Sequence, residues 1–243
     1  MKTILVINSK GGSGKTTLTT NLASYFVNQG HKTTILDYDP QGSSLQWLKV
    51  RPSQQPSIHG ANAAPSKKAS HLRSIAMAIP ADTESLVIDA PAGVEGLLLQ
   101  EMVHKADFIL IPVAPSAIDI HATADFIKQL LLVGGIRQRN IKTAIVANRV
   151  RNTMPVYEPL ERFLETLKIP FLTKLSDADN YIFAAEKGLG VDEMDEYNTE
   201  QEQDELQPVF DWLSNAEQQP IIPKKNNNNV IFIDTVRLNI NAI

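Results

Sequence analysis

A short stretch near the N-terminus, residues 7–17 (INSKGGSGKTT), has the residue types and spacing of a phosphate-binding loop. Loops of this kind follow the pattern G-x-x-x-x-G-K-[ST], and Gly14, Lys15 and Thr16 supply its last three positions. Because glycine tolerates positive φ angles, such a stretch can turn backbone N–H groups inward around anionic oxygens. Lys15 is expected to reach the β- and γ-phosphates of a nucleotide, and Thr16 to place its hydroxyl on Mg²⁺. A serine stands where the pattern has its leading glycine, and a second lysine, Lys10, follows it.

Three aspartates at the ends of apolar runs are further candidates for chemistry. Asp37 and Asp39 lie in LDYDPQGSS, and two carboxylates two residues apart at a strand end point to the same side. Asp89 ends another apolar run, SLVIDA. A simpler interpretation of Asp37 and Asp39 is a pair of surface turn residues before Pro40.

The elements that must position these residues alternate along the chain. Apolar, β-rich runs predict strands at 3–8, 33–39, 85–90, 107–113 and 142–150. Helical spacing predicts helices at 15–30, 93–105, 117–132, 156–167 and 204–215. Strands this apolar are usually covered on both faces, as in a parallel sheet. The alternation therefore predicts an α/β fold, with a doubly wound, mostly parallel sheet flanked by helices.

Composition narrows the classes of function. The 243 residues are enough for one large α/β unit or two small ones. The absence of cysteine excludes disulfides, zinc–thiolate sites and iron–sulfur ligation, and it fits a reducing cytosol. The net charge of −4 leaves no global basic field, so any nucleic-acid binding must use a local patch. We expect no signal peptide, and no apolar run approaches the ~20 residues that a membrane span needs.

The sequence KGGSGKTT resembles the deviant Walker A motif of the ParA/MinD ATPases, K-G-G-x-G-K-[ST]-[ST]. The resemblance implies the fold of a P-loop NTPase, with ATP and Mg²⁺ as cofactors. It also implies that Lys10 crosses a nucleotide-sandwich homodimer and contacts the phosphates bound by the other subunit. The nucleotide-binding residues implied for the loop are Gly11, Gly12, Ser13, Gly14, Lys15, Thr16 and Thr17. Lys10 and Lys15 are the implied catalytic lysines.

The resemblance extends over residues 2–213. LDYDPQGSS resembles the family's DxDPQ segment, which implies that Asp39 positions the attacking water and that Asp37 supports Mg²⁺ and its water shell. LVIDAPAG resembles the Walker B strand, with Asp89 holding Mg²⁺ through water and residues 90–93 forming a switch that senses the γ-phosphate. ANRVR resembles the nucleotide-reading segment, where Asn148 would hydrogen-bond the adenine edge beside Arg149.

These likenesses predict one ParA-like ATPase domain at 1–218 and a low-complexity tail at 219–243, disordered or forming an added edge strand. Residues 52–68 are predicted to be a loop or insertion. The implied function is an ATP-dependent homodimer that binds DNA nonspecifically and positions or segregates a plasmid, chromosome region or protein assembly. A ParB-like or small adaptor would stimulate its hydrolysis in the cytoplasm, at the nucleoid. Candidate DNA contacts, each of which could equally be a solubilising charge, are Arg137, Arg139, Lys142, Arg149, Arg151, Lys174 and Lys187.

Three alternatives remain open at the level of sequence. A MinD-like membrane ATPase would use the tail as an amphipathic helix, but the tail is rich in Asn and β-branched residues, which favour helices poorly. Membrane is therefore not expected as a partner. A P-loop metabolic ligase would need a second pocket for its substrate, and no motif marks one. A nucleotide-binding scaffold without turnover is disfavoured because Asp37 and Asp39 are both present.

Overall fold

The computed structural model describes residues 1–64, 78–115, 117–133, 136, 141–151, 169–194 and 196–215. Its strands are β1 (Lys2–Val6), β2 (Thr33–Asp37), β3 (His59–Asn62), β4 (Ser85–Asp89), β5 (Phe108–Val113), β6 (Lys142–Val150) and β7 (Phe171–Ser176). Its α-helices are α1 (Lys15–Asn28), α2 (Ser43–Val50), α3 (Gly96–Lys105), α4 (Ala117–Val133), α5 (Asp179–Glu186) and α6 (Glu196–Asn215). A 3-10 turn at Val191–Glu193 precedes α6.

The strands form one parallel sheet in the order β3-β2-β4-β1-β5-β6-β7. In register, Asp37 at the end of β2 pairs with Asp89 at the end of β4, and Asp89 pairs with Val6 at the end of β1. The ends of three neighbouring strands therefore meet at one edge, where parallel α/β sheets bind their ligands. The structure confirms the predicted fold class, a doubly wound parallel sheet flanked by helices.

Alternation along the strands explains why helices cover both faces of this sheet. In β1, Ile4 and Val6 pack into one apolar cluster with residues of α1 and α6, while Leu5 packs into a second cluster with residues of α3 and α4. All three side chains are fully buried. Burial on both faces holds the carboxyl ends of the strands in fixed positions, and those ends carry the predicted site.

The five predicted strands are present, but two further strands, β3 and β7, and two helices, α2 and α5, were not predicted. β3 lies within the segment predicted to be a loop at 52–68, so this interpretation was wrong for residues 59–62. β3 is short and polar (HGAN), and it pairs with β2 at the edge of the sheet. It is recognised by its backbone pairing with β2, because its sequence has no apolar pattern. β7, α2 and α5 are likewise short and weakly patterned.

Several predictions fall outside the described residues. These are the helix at 156–167, residues 65–68 of the insertion, Arg137 and Arg139, and the tail at 219–243. Across the part of the chain that is described, no helix is long and apolar enough to cross a membrane.

Candidate functional site

The glycine-rich loop joins β1 to α1 at the middle of the sheet. Gly12 and Gly14 have φ angles of 76° and 91°, a backbone conformation that disfavours residues with a side chain. Gly14 is the N-cap of α1, and no described side chain caps that helix end. The positive end of α1 and its unsatisfied N–H groups therefore face the loop, which is an anion-binding arrangement.

Two contacts hold the loop against the sheet. Asn8 donates hydrogen bonds from Nδ2 to the Pro112 carbonyl at 2.7 Å and to the Thr123 hydroxyl at 3.2 Å, so it fixes the start of the loop to β5 and α4. The backbone N–H of Gly93 donates to the Ser9 carbonyl at 2.8 Å. The predicted switch at 90–93 is thus bound to the residue that replaces the leading glycine of the loop pattern.

The two lysines of the loop contact each other through the backbone of the first. The Lys15 ammonium is buried, and its Nζ donates a 2.9 Å hydrogen bond to the Lys10 carbonyl. Burial lowers the pKa of Lys15 below its usual value, and the negative charges of Asp89 and Asp39 offset part of that effect. Lys10 itself is half-buried.

Asp89 is the buried carboxylate with unused hydrogen-bonding capacity. It is 1% exposed, and no described group makes a well-aligned hydrogen bond to either oxygen. Burial, with the neighbouring charge of Asp37, raises the pKa of Asp89 to about 7, while the Thr16 hydroxyl and the Lys15 ammonium act in the opposite direction. A buried carboxylate with two unsatisfied oxygens is costly unless a further cation or donor is present.

Asp37 and Asp39 have protein partners instead. Asp37 is 1% exposed and accepts from the Asp39 backbone N–H at 2.9 Å and from the Ser44 hydroxyl at 2.7 Å. Asp39 is half-buried and accepts from the Gln41 backbone N–H at 2.9 Å. Asp37 is therefore held inside the protein, whereas Asp39 lies at the surface of the loop that follows β2.

Asn148 and Arg149 end up in different surroundings at the end of β6. Asn148 is buried, and its Nδ2 donates to the Ser13 carbonyl of the phosphate loop at 2.9 Å. Arg149 has a φ angle of 58°, the one positive value among the described residues other than glycine, and its side chain is exposed 3.9 Å from Asp177. The structure thus brings Asn148 to the loop, while its contact with adenine remains a prediction.

The residues present fit a nucleotide with Mg²⁺. The loop offers helix N–H groups and a buried lysine, and the Ser13 hydroxyl, like the Asp89 oxygens, has no hydrogen-bond partner among the described groups. Over the described ranges, no group of three or more carboxylate, histidine or cysteine side chains could hold a metal by itself. Mg²⁺ typically uses one or two carboxylates together with phosphate oxygens and water, which matches Thr16 and Asp89 beside the loop.

The predicted DNA-contacting residues that the structure describes are spread over β6 and its carboxyl end, β7 and the segment after α5. Lys142 begins β6 and Arg149 lies near its other end, so this nine-residue strand separates them by roughly 25 Å. Arg151 donates to Asp177 at 2.6 Å and is therefore partly neutralised. Lys174 and Lys187 are exposed on β7 and after α5.

Sequence reasoning missed two residues that shape the site, Asn8 and Ser44. Asn8 contacts residues more than a hundred positions away, whereas Ser44 contacts Asp37 seven positions earlier. Asn8 had a detectable signal, because it is a polar residue that closes an apolar strand directly before the loop. Ser44 had none, since it is one of two adjacent serines in a turn-like sequence.

Comparisons with known proteins agree with this geometry. Residues 4–191 match the family model of the CobQ/CobB/MinD/ParA nucleotide binding domain. A maintenance of carboxysome distribution protein A from Halothiobacillus neapolitanus is 29% identical over 177 residues, which cover 70% of this chain and 77% of that protein. The chromosome-partitioning ATPase Soj of Thermus thermophilus is 43% identical over 51 residues, 21% of this chain and 20% of that protein.

Two solved structures share the fold. The MinD cell division protein of Aquifex aeolicus superposes with a TM-score of 0.64 at 20% identity, covering 91% of this chain and 99% of that one. An ATP complex of McdA from Cyanothece gives a TM-score of 0.66 at 15% identity, covering 91% and 98%. At sequence identities this low, the structural likeness is evidence for a shared fold alone.

Proposed function

The chain belongs to the CobQ/CobB/MinD/ParA nucleotide-binding family, and we propose that it is a positioning ATPase that hydrolyses ATP to ADP and phosphate. The observation that carries the proposal is the meeting of a glycine-rich loop, its buried lysine and the bare carboxylate of Asp89 at one sheet edge. Relatives named for carboxysome distribution and chromosome partitioning support the positioning role.

Each residue of the site has a chemical task in this proposal. The loop, residues 11–17, binds the phosphates, with Lys15 neutralising charge on the β- and γ-phosphates. Thr16 and Asp89, supported by Asp37, would hold Mg²⁺, which supplies positive charge to the phosphate oxygens when bound. Asp39 orients a water whose oxygen attacks the γ-phosphorus, while the bond to the bridging oxygen breaks. ADP leaves with the electron pair of that bond, and the inorganic phosphate formed keeps the protons of the water. Asn148 borders the base at the end of β6, beside Arg149.

Dimerisation is the second part of the proposal. ATP closes two copies face to face, and Lys10 of each copy completes the phosphate site of the other. A cation supplied in trans accelerates hydrolysis in other NTPases by about 10³–10⁵-fold, so a dimer of this kind couples turnover to assembly. Lys10 suits this task because it is only half-buried, whereas Lys15 is buried within the loop.

The third part concerns partners and organisation. The ATP-bound dimer binds DNA nonspecifically in the cytoplasm, at the nucleoid, and an adaptor on the cargo stimulates hydrolysis and releases it. Because a dimer doubles each basic side chain, modest local charge is sufficient for salt-dependent binding. Residues 1–218 form the ATPase domain, and 219–243 form a separate tail.

Size-exclusion chromatography with light scattering tests the dimer. The Asp39→Ala protein should be a dimer with ATP and Mg²⁺ and a monomer with ADP, and adding Lys10→Ala should return it to a monomer. Lys49→Ala, an exposed lysine of α2, is the matched control and should leave the dimer intact. A double variant that dimerises like its parent would contradict the role of Lys10 in trans while leaving nucleotide binding in place.

DNA binding needs a separate experiment. Asp39→Ala protein with ATP at low salt should be retained on immobilised DNA of random sequence, and retention should fall as salt rises or when ADP replaces ATP. If this protein is not retained, DNA is not its partner. Turnover by the wild-type protein, measured as phosphate release, tests hydrolysis independently of both.

A further inference from the structure

The two adjacent aspartates of the sheet edge differ in how fully the protein uses them. Asp37 and Asp89 are paired in register on neighbouring strands, and both are 1% exposed. Asp37 accepts hydrogen bonds on both of its oxygens, whereas Asp89 has no well-aligned donor among the described residues and only the Thr16 hydroxyl acts on it as a hydrogen-bonding group. A cation can therefore take an oxygen of Asp89 without displacing a protein donor, but it would have to share Asp37 with groups already bound there.

The partners of Asp37 lie on the segment that carries Asp39. One oxygen accepts from the Asp39 backbone N–H at 2.9 Å, and the other accepts from the Ser44 hydroxyl at 2.7 Å, with the Leu45 backbone N–H at 3.4 Å. Asp37 thus clamps both ends of the turn at 39–44. Asp39 lies in this turn, and the proposed mechanism requires its carboxylate to have a fixed orientation.

Ser44 is the side chain that completes the clamp. It is fully buried in the first turn of α2, whose N-cap residue, Gly42, has no side chain to cap the helix. Asp37 therefore takes the place of a capping residue, reaching from β2 to the N-terminal turn of α2. A hydroxyl at position 44 is a donor directed at Asp37, and removing it frees one oxygen of a buried carboxylate.

We propose that Ser44 is a positioning residue for ATP hydrolysis, acting through Asp37 to hold the Asp39 turn in the geometry that orients the attacking water. This inference rests on the proposed ATPase function. It assigns Asp37 mainly to the protein scaffold and Asp89 mainly to the cation. Misplacement of a catalytic group by about 1 Å can cost up to a hundredfold in rate, so a lost hydroxyl can lower turnover without unfolding the protein.

The test compares Ser44→Ala, Ser44→Thr and Ser43→Ala. Ser43 is exposed and adjacent, which makes its alanine variant a matched control for the same chemical change on the same helix turn. For each variant, phosphate release gives kcat, and a fluorescent ATP analogue gives Kd with Mg²⁺ and with EDTA. Thermal denaturation of the nucleotide-free protein reports on folding.

Ser44→Ala should lower kcat about tenfold while the Kd for the Mg²⁺-bound analogue changes less than twofold. Ser44→Thr, which keeps the hydroxyl, should restore kcat to within about threefold of wild type, and Ser43→Ala should match wild type. A kcat for Ser44→Ala within twofold of wild type would overturn the inference, as would equal losses in kcat and affinity. Absence of turnover by the wild-type protein would instead refute the proposed function.

Discussion

Replacing Asp89 with asparagine should stabilise the nucleotide-free protein, by an amount that grows as the pH rises. Asp89 is 1% exposed, its oxygens lack well-aligned donors among the described residues, and its pKa is raised to about 7 by burial and by the charge of Asp37. In the unfolded chain the same carboxyl titrates near its ordinary value of about 3.9. Folding at neutral pH must therefore bury a charge that the asparagine variant does not carry.

The sign and size follow from proton linkage. Between pH 4 and pH 7 the unfolded chain has lost the Asp89 proton while the folded protein keeps it, so the free energy of unfolding falls by about 1.4 kcal/mol per pH unit. Above pH 7 both states are ionised and the loss levels off at about 4 kcal/mol. Between pH 5.5 and pH 8 the expected loss is about 2 kcal/mol, which the Asp89→Asn protein should not show.

Urea denaturation in EDTA, without nucleotide, measures this difference at pH 5.5 and pH 8. The difference in unfolding free energy between Asp89→Asn and wild type should be about 2 kcal/mol larger at pH 8. Asp125→Asn removes a carboxylate whose side chain is 79% exposed, and its difference should be independent of pH. With ATP and Mg²⁺ the order should reverse, because wild type gains a cation at Asp89 and the variant does not. Equal differences at both pH values would refute the raised pKa of Asp89 in the folded protein.

Two structural predictions accompany this one. Gly14→Ala should abolish nucleotide binding in a calorimetric titration, because its Cβ would lie 1.7 Å from Asn148 Nδ2. Gly30→Ala is the control and should bind normally, because Gly30 has a similar φ of 86° but no described atom within 4 Å of the added Cβ. Arg51→Met should lower the free energy of unfolding, measured in urea, by about 3–5 kcal/mol. The Arg51 and Glu193 side chains are 5% and 1% exposed, so the variant leaves the Glu193 carboxylate buried without its cation. A loss below 1 kcal/mol would show that this ion pair contributes no more to stability than an exposed ion pair does.

The phosphate loop was predictable because its chemistry is local. Glycines that permit positive φ, a lysine and a threonine are adjacent in sequence, and one apolar strand before them sets the loop at a sheet edge. Asp37 and Asp89 were predictable as strand ends. Their meeting in register depends on the strand order, which places β4 between β1 and β2 and which no single motif encodes.

The contacts that tune the site could not be read from the sequence. The Asn148 amide reaches the Ser13 carbonyl across 135 positions of the chain, and it can do so because Gly14 has no side chain in the way. The same residue type at a strand end is compatible with reading a base, so a pattern alone does not show which partner it holds. Arg149 adopts a positive φ that its residue type disfavours, and such exceptions arise from tertiary packing.

The second lysine of the loop has a physical rationale in the charges of the site. One buried lysine, Lys15, lies near the charges of Asp39 and Asp89, and Asp37 lies beside Asp89, so carboxylates outnumber the buried lysine before any phosphate enters. Lys15 is also committed within its own loop, since its Nζ donates to the Lys10 carbonyl. A triphosphate can bind such a pocket stably only with added positive charge, part of it from a divalent cation at Asp89. A lysine delivered by a second copy would add charge at the γ-phosphate, and it would do so only after that copy has docked.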